Sequence, residues 1–332
     1  IILLEGKIFL KELKIENLSH TIGTKQLFKQ IDFSIFNEEK VGLIGRNGNG
    51  KSTFLKIIGG KMDSDTGTLT KPGDYKVGYL SQEPDLNPNN KVLETVFEGN
   101  TPIMNAVRQY EEMLLRLNEQ SSDAAIQKEF TKAQQAMDAT DAWNADASAK
   151  RILSILGITE MNQTIGSMSG GQQKRVALAQ VLIQTPDLLI LDEPTNHLDF
   201  EMIQWLENYL KNYKGALLVV THDRYFLDRV VDKIVELENG QLHTYSGNYQ
   251  KYVEEKAERE EEMASSRHKA KQLFKQELAW MREGVRARGT KQKARIERFE
   301  KLKGQVSQST QVFELSFDFG THRLGKQVFE LV

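Results

Sequence analysis

Between residues 11 and 36, apolar and polar side chains alternate in two short runs, 13–18 and 31–36. That period of two predicts an antiparallel pair of strands, each with one buried face, turning at Gly23. Residues 41–44 form a short apolar strand that runs straight into a glycine-rich turn, and residues 52–58 take up helical spacing. Residues 77–80 are another strand, followed by a Pro/Asn-rich loop at 83–90 that marks a boundary. From about 93 to 156 the chain is rich in Ala, Glu, Gln, Leu and Met with hardly a glycine, which predicts an insertion of several helices with a polar break at Ser121-Ser122-Asp123. A further helix covers 169–184. Residues 188–191 and 216–220 are apolar throughout, as expected of parallel strands covered on both faces. Residues 232–245 read as a hairpin about Asn239-Gly240.

The character changes after Tyr249. Residues 250–282 are highly charged and helix-forming, Gly284 and Gly289 bracket a turn, and 290–303 resume a helix rich in Lys and Arg. Two helices joined at a glycine-flanked tip predict an antiparallel hairpin. Strand-like alternation returns at 312–332 through Val312, Phe313, Leu315, Phe317 and Phe319. The expected division is therefore an upstream extension at 1–10, an α/β domain at 11–249, a charged helical linker at 250–305 and the start of a second β-rich domain at 306–332.

Composition narrows the chemistry. With no cysteine among 332 residues, disulfides, zinc fingers and thiol catalysis are excluded. A net charge of -2 means that any nucleic-acid partner has to be met by a local patch. No apolar run approaches the roughly 18–20 residues needed to span a bilayer, and the chain reads as cytoplasmic, without a membrane partner. The local patch is at hand: between Trp280 and Lys303 nine basic residues, among them Arg282, Arg286, Arg288, Lys291, Lys293 and Arg295, stand against three acidic ones. Residues 254–262 carry six Glu against two cations. A helix pair acidic at its base and basic at its tip presents positive charge to nucleic-acid phosphates.

The chemistry-bearing segment is Gly45-Arg46-Asn47-Gly48-Asn49-Gly50-Lys51-Ser52, followed by Thr53. It fits G-x-x-x-x-G-K-[ST] and lies between a strand and a helix, as a phosphate-binding loop must. Glycines let the backbone wrap a phosphate, while successive N–H groups and the helix N-terminus supply positive potential. Lys51 is expected to reach the β- and γ-phosphates of ATP, and Ser52 to bind Mg²⁺. The second half of the site is the run 188–191 ending in Asp192-Glu193. Asp192 at the end of a buried strand can hold Mg²⁺ through water, and Glu193 can polarise the attacking water as general base.

Ser167-Met168-Ser169-Gly170-Gly171-Gln172, just before that strand, resembles the signature of ATP-binding cassette proteins, with Met168 in place of the usual leucine. The resemblance implies an α/β P-loop cassette with an antiparallel β subdomain and a helical insertion. It further implies that Ser169, Gly170, Gly171 and Gln172 contact the γ-phosphate held by an opposing cassette. Gln82 matches the family's Q-loop, which senses Mg²⁺ and the lytic water; Pro194 to Asp199 matches its D-loop; His222 matches its switch histidine, which contacts the γ-phosphate. An adenine-stacking aromatic would be expected at position 22, where Ile22 stands; His20 is either the alternative stack or a solvated loop residue.

The helical insertion, the linker from Glu277 to Arg295 and the terminal segment His322 to Val328 together resemble the ABC-F family, most closely its Uup-like branch. That resemblance implies two cassettes in one chain, no membrane domain and action on the ribosome, with the linker in the exit-site region near peptidyl-tRNA. The second cassette, rRNA and tRNA are then the expected partners. Two other roles share the cassette: a DNA-structure-binding ATPase, since a basic hairpin does not by itself separate RNA from DNA, and the ATP-binding subunit of a membrane transporter. With one phosphate loop and one signature in the sequence, the chain is expected to be a fragment that hydrolyses ATP poorly unless it pairs with a second copy.

Overall fold

The computed structural model describes residues 2–4, 7–9, 11–99, 101–119 and 123–282. The chain divides into Ile1–Val253 and Glu254–Val332. In the first part, the upstream extension carries a small hairpin of its own, β1 (Ile2–Leu4) against β2 (Lys7–Phe9). The alternating runs at 13–18 and 31–36 belong to longer strands, β3 (Glu12–Ile22) and β4 (Lys25–Phe36), which pair antiparallel through a two-residue turn containing Gly23. The ladder shifts register between Ile15 and Thr21. Asn17 and Gln30 there take φ values of 53° and 49°, so irregularities absorb a stretch the pattern left unassigned.

The larger sheet has six strands: β11 (Gln241–Ser246), β10 (Lys233–Glu238), β5 (Lys40–Ile44), β9 (Ala216–Val220), β8 (Leu188–Asp192) and β7 (Val77–Leu80), in that order. All neighbours are parallel except β10 and β11, whose hairpin turns at Asn239-Gly240 with φ of 51° and 75°, the pair of positive values a type I′ turn requires. A third strand, β6 (Thr66–Thr70), extends the antiparallel sheet on the far side of β3.

The parallel strands show why their sequence is apolar without alternation. In β8, Leu188 and Ile190 join the core beneath the antiparallel sheet, with Phe28, Phe54 and Leu55, whereas Leu189 and Leu191 join the core beneath the helices, with Val176, Leu178 and Leu206. β9 divides in the same way, Leu218 and Val220 to one side, Leu217 and Val219 to the other. Both faces of the sheet are thus covered, and the only polar residue in these two strands is Asp192, at the end of β8 where the cleft opens.

The helices are α1 (Lys51–Ile58), α2 (Val92–Val96), α3 (Pro102–Glu119), α4 (Ala124–Thr140), α5 (Trp143–Ile155), α6 (Gly170–Ile183), α7 (Phe200–Lys211), α8 (Arg224–Val230) and α9 (Tyr249–Arg282). The insertion holds together through an aromatic group: the Tyr110 ring lies 5.5 Å from Phe130 and 4.9 Å, edge-on, from Trp143. Lys150 ties it further, reaching Glu111 at 2.6 Å and Asp146 at 2.9 Å. From Glu254 onward the described residues form the continuation of α9, with exposed Met263 and Leu273 among its charges. The expected linker tip, the expected second helix and the expected start of a second cassette, with Arg286, Arg288, Lys291, Lys293 and Arg295, fall outside the described residues; Arg282 is the last residue of α9.

Candidate functional site

The phosphate loop sits where β5 ends and α1 begins, and its shape depends on two close approaches. Gly45 has φ 154°, and a Cβ there would lie 2.6 Å from the Leu237 carbonyl of β10. Gly50 has φ 98°, and its Cβ would press on Leu27 and Phe28 at 3.1 Å. Glycine alone accommodates both demands. Asn49 turns out of the loop, donating from Nδ2 to the Leu237 carbonyl at 3.2 Å. The loop is thereby fastened to the neighbouring strand.

In front of the loop lies a cleft of about 660 Å³. Asn47, Gly48, Gly50, Lys51, Ser52 and Thr53 line it from the loop, and Gln82, Asp192, Glu193, Asn196 and His222 from the ends of β7, β8 and β9. Ile22, Lys25 and Leu27 close it from the antiparallel sheet. Gly45, Arg46 and Asn49 do not face the cleft; the first two present carbonyls to Lys51 Nζ, at 2.9 and 3.4 Å.

The carboxylates are held with care. Asp192, 2 % exposed, ends β8, and its Oδ2 is buried without a hydrogen-bond partner. Burial pushes its carboxyl up from the ordinary value, offset in part by a hydrogen bond from Ser52 and by the charges of Lys174 and Lys51. Burial likewise pushes the Lys51 and Lys174 ammonium groups down, against the pull of Glu193 and Asp192. Tyr79 is raised to about 12 by burial and by the Asp192 charge. An orphaned carboxylate oxygen beside a serine hydroxyl is the donor chemistry of a hard divalent cation that keeps most of its water, so the residues present fit Mg²⁺.

Glu193 takes φ 53°, a left-handed conformation unusual for a side chain of its size. Its N–H donates to the Val220 carbonyl at 2.8 Å. Its Oε1 lies 3.6 Å from His222 Nε2, and its Oε2 accepts the His222 N–H at 3.4 Å. The expected general base and the expected γ-phosphate contact therefore meet at one edge of the cleft.

The other expected residues divide. Ser169 caps α6: its Oγ accepts from the Gln172 N–H at 3.3 Å, while Gln172 Oε1 accepts from the Ser169 N–H at 2.9 Å. None of Ser169, Gly170, Gly171 and Gln172 lines the cleft, and a Cβ on Gly170 would meet open space. His20 does not serve as a stack at the mouth of the cleft. Its ring packs beside Phe28 at 6.4 Å, and Nδ1 lies 3.2 Å from Asp65. Ile22, 52 % exposed, is the residue that stands there. Sequence reasoning missed Lys25, whose Nζ donates to the Gly48 carbonyl at 2.8 Å, and the buried Lys174. No spacing rule links position 25 to position 48; only the fold of the β3–β4 hairpin over the loop does so.

Comparison with known proteins agrees with this geometry. A family model for ABC transporters matches residues 28–196, and a second ABC transporter model, an extension, matches residues 235–317. The chain is 49 % identical over 318 residues to the ABC transporter ATP-binding protein YfmR of Bacillus subtilis, covering 96 % of this chain and 50 % of that one. It is 37 % identical to the energy-dependent translational throttle protein EttA of Mycobacterium tuberculosis, covering 93 % and 55 %, and 36 % identical to that of Escherichia coli, covering 92 % and 56 %. The chain thus spans about half the length of these relatives. Among solved structures it resembles an ATP-binding subunit of an ABC transporter, with TM-score 0.52, 20 % identity and coverage of 72 % and 90 %. It also resembles a dimeric ATP-binding cassette in a post-hydrolysis state with ADP and Pi, with TM-score 0.50, 23 % identity and coverage of 70 % and 98 %.

Proposed function

Since the chain belongs to the ABC transporter family of ATP-binding cassette proteins, and within it to the ABC-F group, we propose that it couples ATP binding and hydrolysis to action on the ribosome in the cytoplasm. The observation that carries the ATPase half is the cleft itself, which gathers the phosphate loop, Gln82, Asp192, Glu193 and His222 around one volume. ATP is the substrate, and ADP and phosphate are the products. Backbone N–H groups of the loop and the N-terminus of α1 face the β- and γ-phosphates. Lys51 exchanges its contacts with the Gly45 and Arg46 carbonyls for phosphate oxygens. Glu193 orients the attacking water and accepts its proton, and His222 steadies that carboxylate and the γ-phosphate. Ser52, Asp192 and Gln82 would hold Mg²⁺, which when bound would offset charge on the phosphates.

The ribosomal half rests on the relatives named translational throttle proteins and on the basic run that includes Arg282, Arg286, Arg288, Lys291, Lys293 and Arg295. Among the described residues no helix is long and apolar enough to cross a membrane. The test is cosedimentation of the Glu193→Gln variant with purified ribosomes, with and without ATP. We expect ATP-dependent binding that weakens steeply with salt and is lost when Arg286 and Arg288 are both changed to Glu. Absence of binding in every nucleotide state at low salt would sink the ribosomal reading, as would displacement from ribosomes by branched DNA, which moves a DNA-structure role to the front.

A further inference from the structure

The acid and the histidine of the cleft stand on two separate loops, and what keeps them together is not supplied by the sheet. The ladder between β8 and β9 ends at the pair Asp192 and Val220; Glu193 and His222 both lie beyond it. Past that point the chain is strained, with Glu193 at φ 53° and His197 at φ 67°. Such conformations persist only where neighbouring contacts over-determine them. Within the acid-bearing loop there are two long backbone bonds, from the Asn196 N–H to the Glu193 carbonyl at 3.5 Å and from the Leu198 N–H to the Thr195 carbonyl at 3.3 Å. Between the two loops, the backbone contributes the bond from the Glu193 N–H to the Val220 carbonyl.

One side-chain tie not involving either catalytic residue crosses the same gap. Thr195 Oγ1 lies 3.2 Å from Thr221 Oγ1. Thr221 is 5 % exposed, and its Oγ1 also accepts the Asp223 N–H at 3.1 Å. Asp223 in turn caps α8, accepting the Phe226 N–H at 3.0 Å. The hydroxyl of Thr221 therefore fixes the chain on both sides of His222 and hands that position on to Thr195, two residues after Glu193. We propose that the Thr195–Thr221 hydroxyl bridge is a clasp that sets the spacing of Glu193 and His222 for hydrolysis. Both threonines are positioning residues: they act through the acid and the histidine. The proposal rests on the ATPase reading of the cleft.

Valine keeps the branched shape and removes the hydroxyl, while serine keeps the hydroxyl. In steady-state ATPase assays, Thr195→Val, Thr221→Val and the double variant are each expected to lower kcat about tenfold, as loss of catalytic alignment does, with KM for ATP within about twofold of the parent. Because both substitutions break the same bridge, the double loss should equal that of Thr221→Val, which also removes the acceptor of the Asp223 N–H, rather than the product of the single losses. The serine variants should retain parental kcat. The double variant leaves neither hydroxyl without a partner in the bridge and removes only the acceptor that Thr221→Val already removes from the Asp223 N–H, so it should melt no lower than Thr221→Val alone. Hydrogen exchange of the nucleotide-free chain reads the clasp without any turnover: amides in 193–198 and 221–223 should lose protection about tenfold in the double variant and keep it in the serine variants. Unchanged protection and unchanged kcat in the double variant would overturn the clasp, as would multiplying single effects or a KM that rises in step with the fall in kcat. A parent and valine variants that all lack turnover even at concentrations where the chains pair, with protection lost in all the valine variants, would count against the ATPase reading and leave the clasp standing.

Discussion

Asp192 terminates a strand buried along its whole length, and its buried Oδ2 has no hydrogen-bond partner. Its carboxyl is raised above the ordinary value of 3.8, first by burial. The sign of the consequence follows from linkage. An acid whose folded pKa exceeds its unfolded one is easier to bury protonated, so its ionisation at neutral pH costs stability. That cost disappears as the pH falls through the raised folded pKa and then below the unfolded one. Asp192→Asn should therefore melt higher than the parent at pH 7, by about 1 kcal/mol, while losing ATP hydrolysis. The gain should shrink as melts are repeated toward about pH 4. A variant that melts lower at pH 7 would contradict this account. Glu193→Gln is the complementary case: it should keep nucleotide affinity, measured with a fluorescent ATP analogue, and lose turnover by about 10²–10⁴-fold, the range a general base contributes.

The phosphate loop is an element whose support lies in a neighbouring element, and Gly45 is where the two come closest. A Cβ there would sit 2.6 Å from the Leu237 carbonyl, at a φ of 154° that L residues rarely adopt. Gly45→Ala should destabilise the chain by about 2–4 kcal/mol, the range of buried strain at a special backbone position. It should also weaken ATP binding, whereas Gly48→Ala, where the Cβ would meet open space, should cost less; equal losses in chemical denaturation would refute the distinction. The first turn of α9 is a second such joint. The buried Glu236 of β10 accepts from Tyr252 OH at 3.1 Å and Tyr245 OH at 3.4 Å, and Tyr252→Phe should cost about 1 kcal/mol in thermal unfolding. Most elements were legible in the sequence for a physical reason. β8 as far as Leu191 and all of β9 are apolar because both faces are buried, and the turn at Asn239-Gly240 needs residues that tolerate positive φ. β6, by contrast, is exposed along its length and made of Thr and Gly apart from Leu69, so it carries no alternation to read. α8 spans seven residues, too few for a helical period to emerge. In the site, the phosphate loop, Asp192 and Glu193 were legible because their chemistry restricts residue type, and His222 only through the resemblance to the cassette family. Lys25, Lys174 and the Thr195–Thr221 pair were not, because tertiary contact alone gives them their places.

At the scale of the molecule, the cleft and the signature segment do not face one another within the chain. Asp192, Glu193 and the phosphate loop line one volume, while Ser169 to Gln172 cap α6 without lining it, Gly170 fronting open space. A γ-phosphate bound at Lys51 would thus have to meet a signature carried by another cassette, and the arrangement is reciprocal if a second copy supplies it. Two consequences separate this from a self-sufficient site. Specific ATPase activity should rise with chain concentration, approaching proportionality at low concentration, where few chains are paired. Mixing two inactive variants, Lys51→Ala and Gly171→Asp, should restore activity, because a mixed pair joins the intact phosphate loop of one chain to the intact signature of the other. Random pairing makes half of the pairs mixed, each with one working site, so the mixture should reach about a quarter of parental turnover. Concentration-independent turnover together with an inactive mixture would mean that the chain completes its site alone, and the role given to Ser169 and the glycines after it would fall with that result.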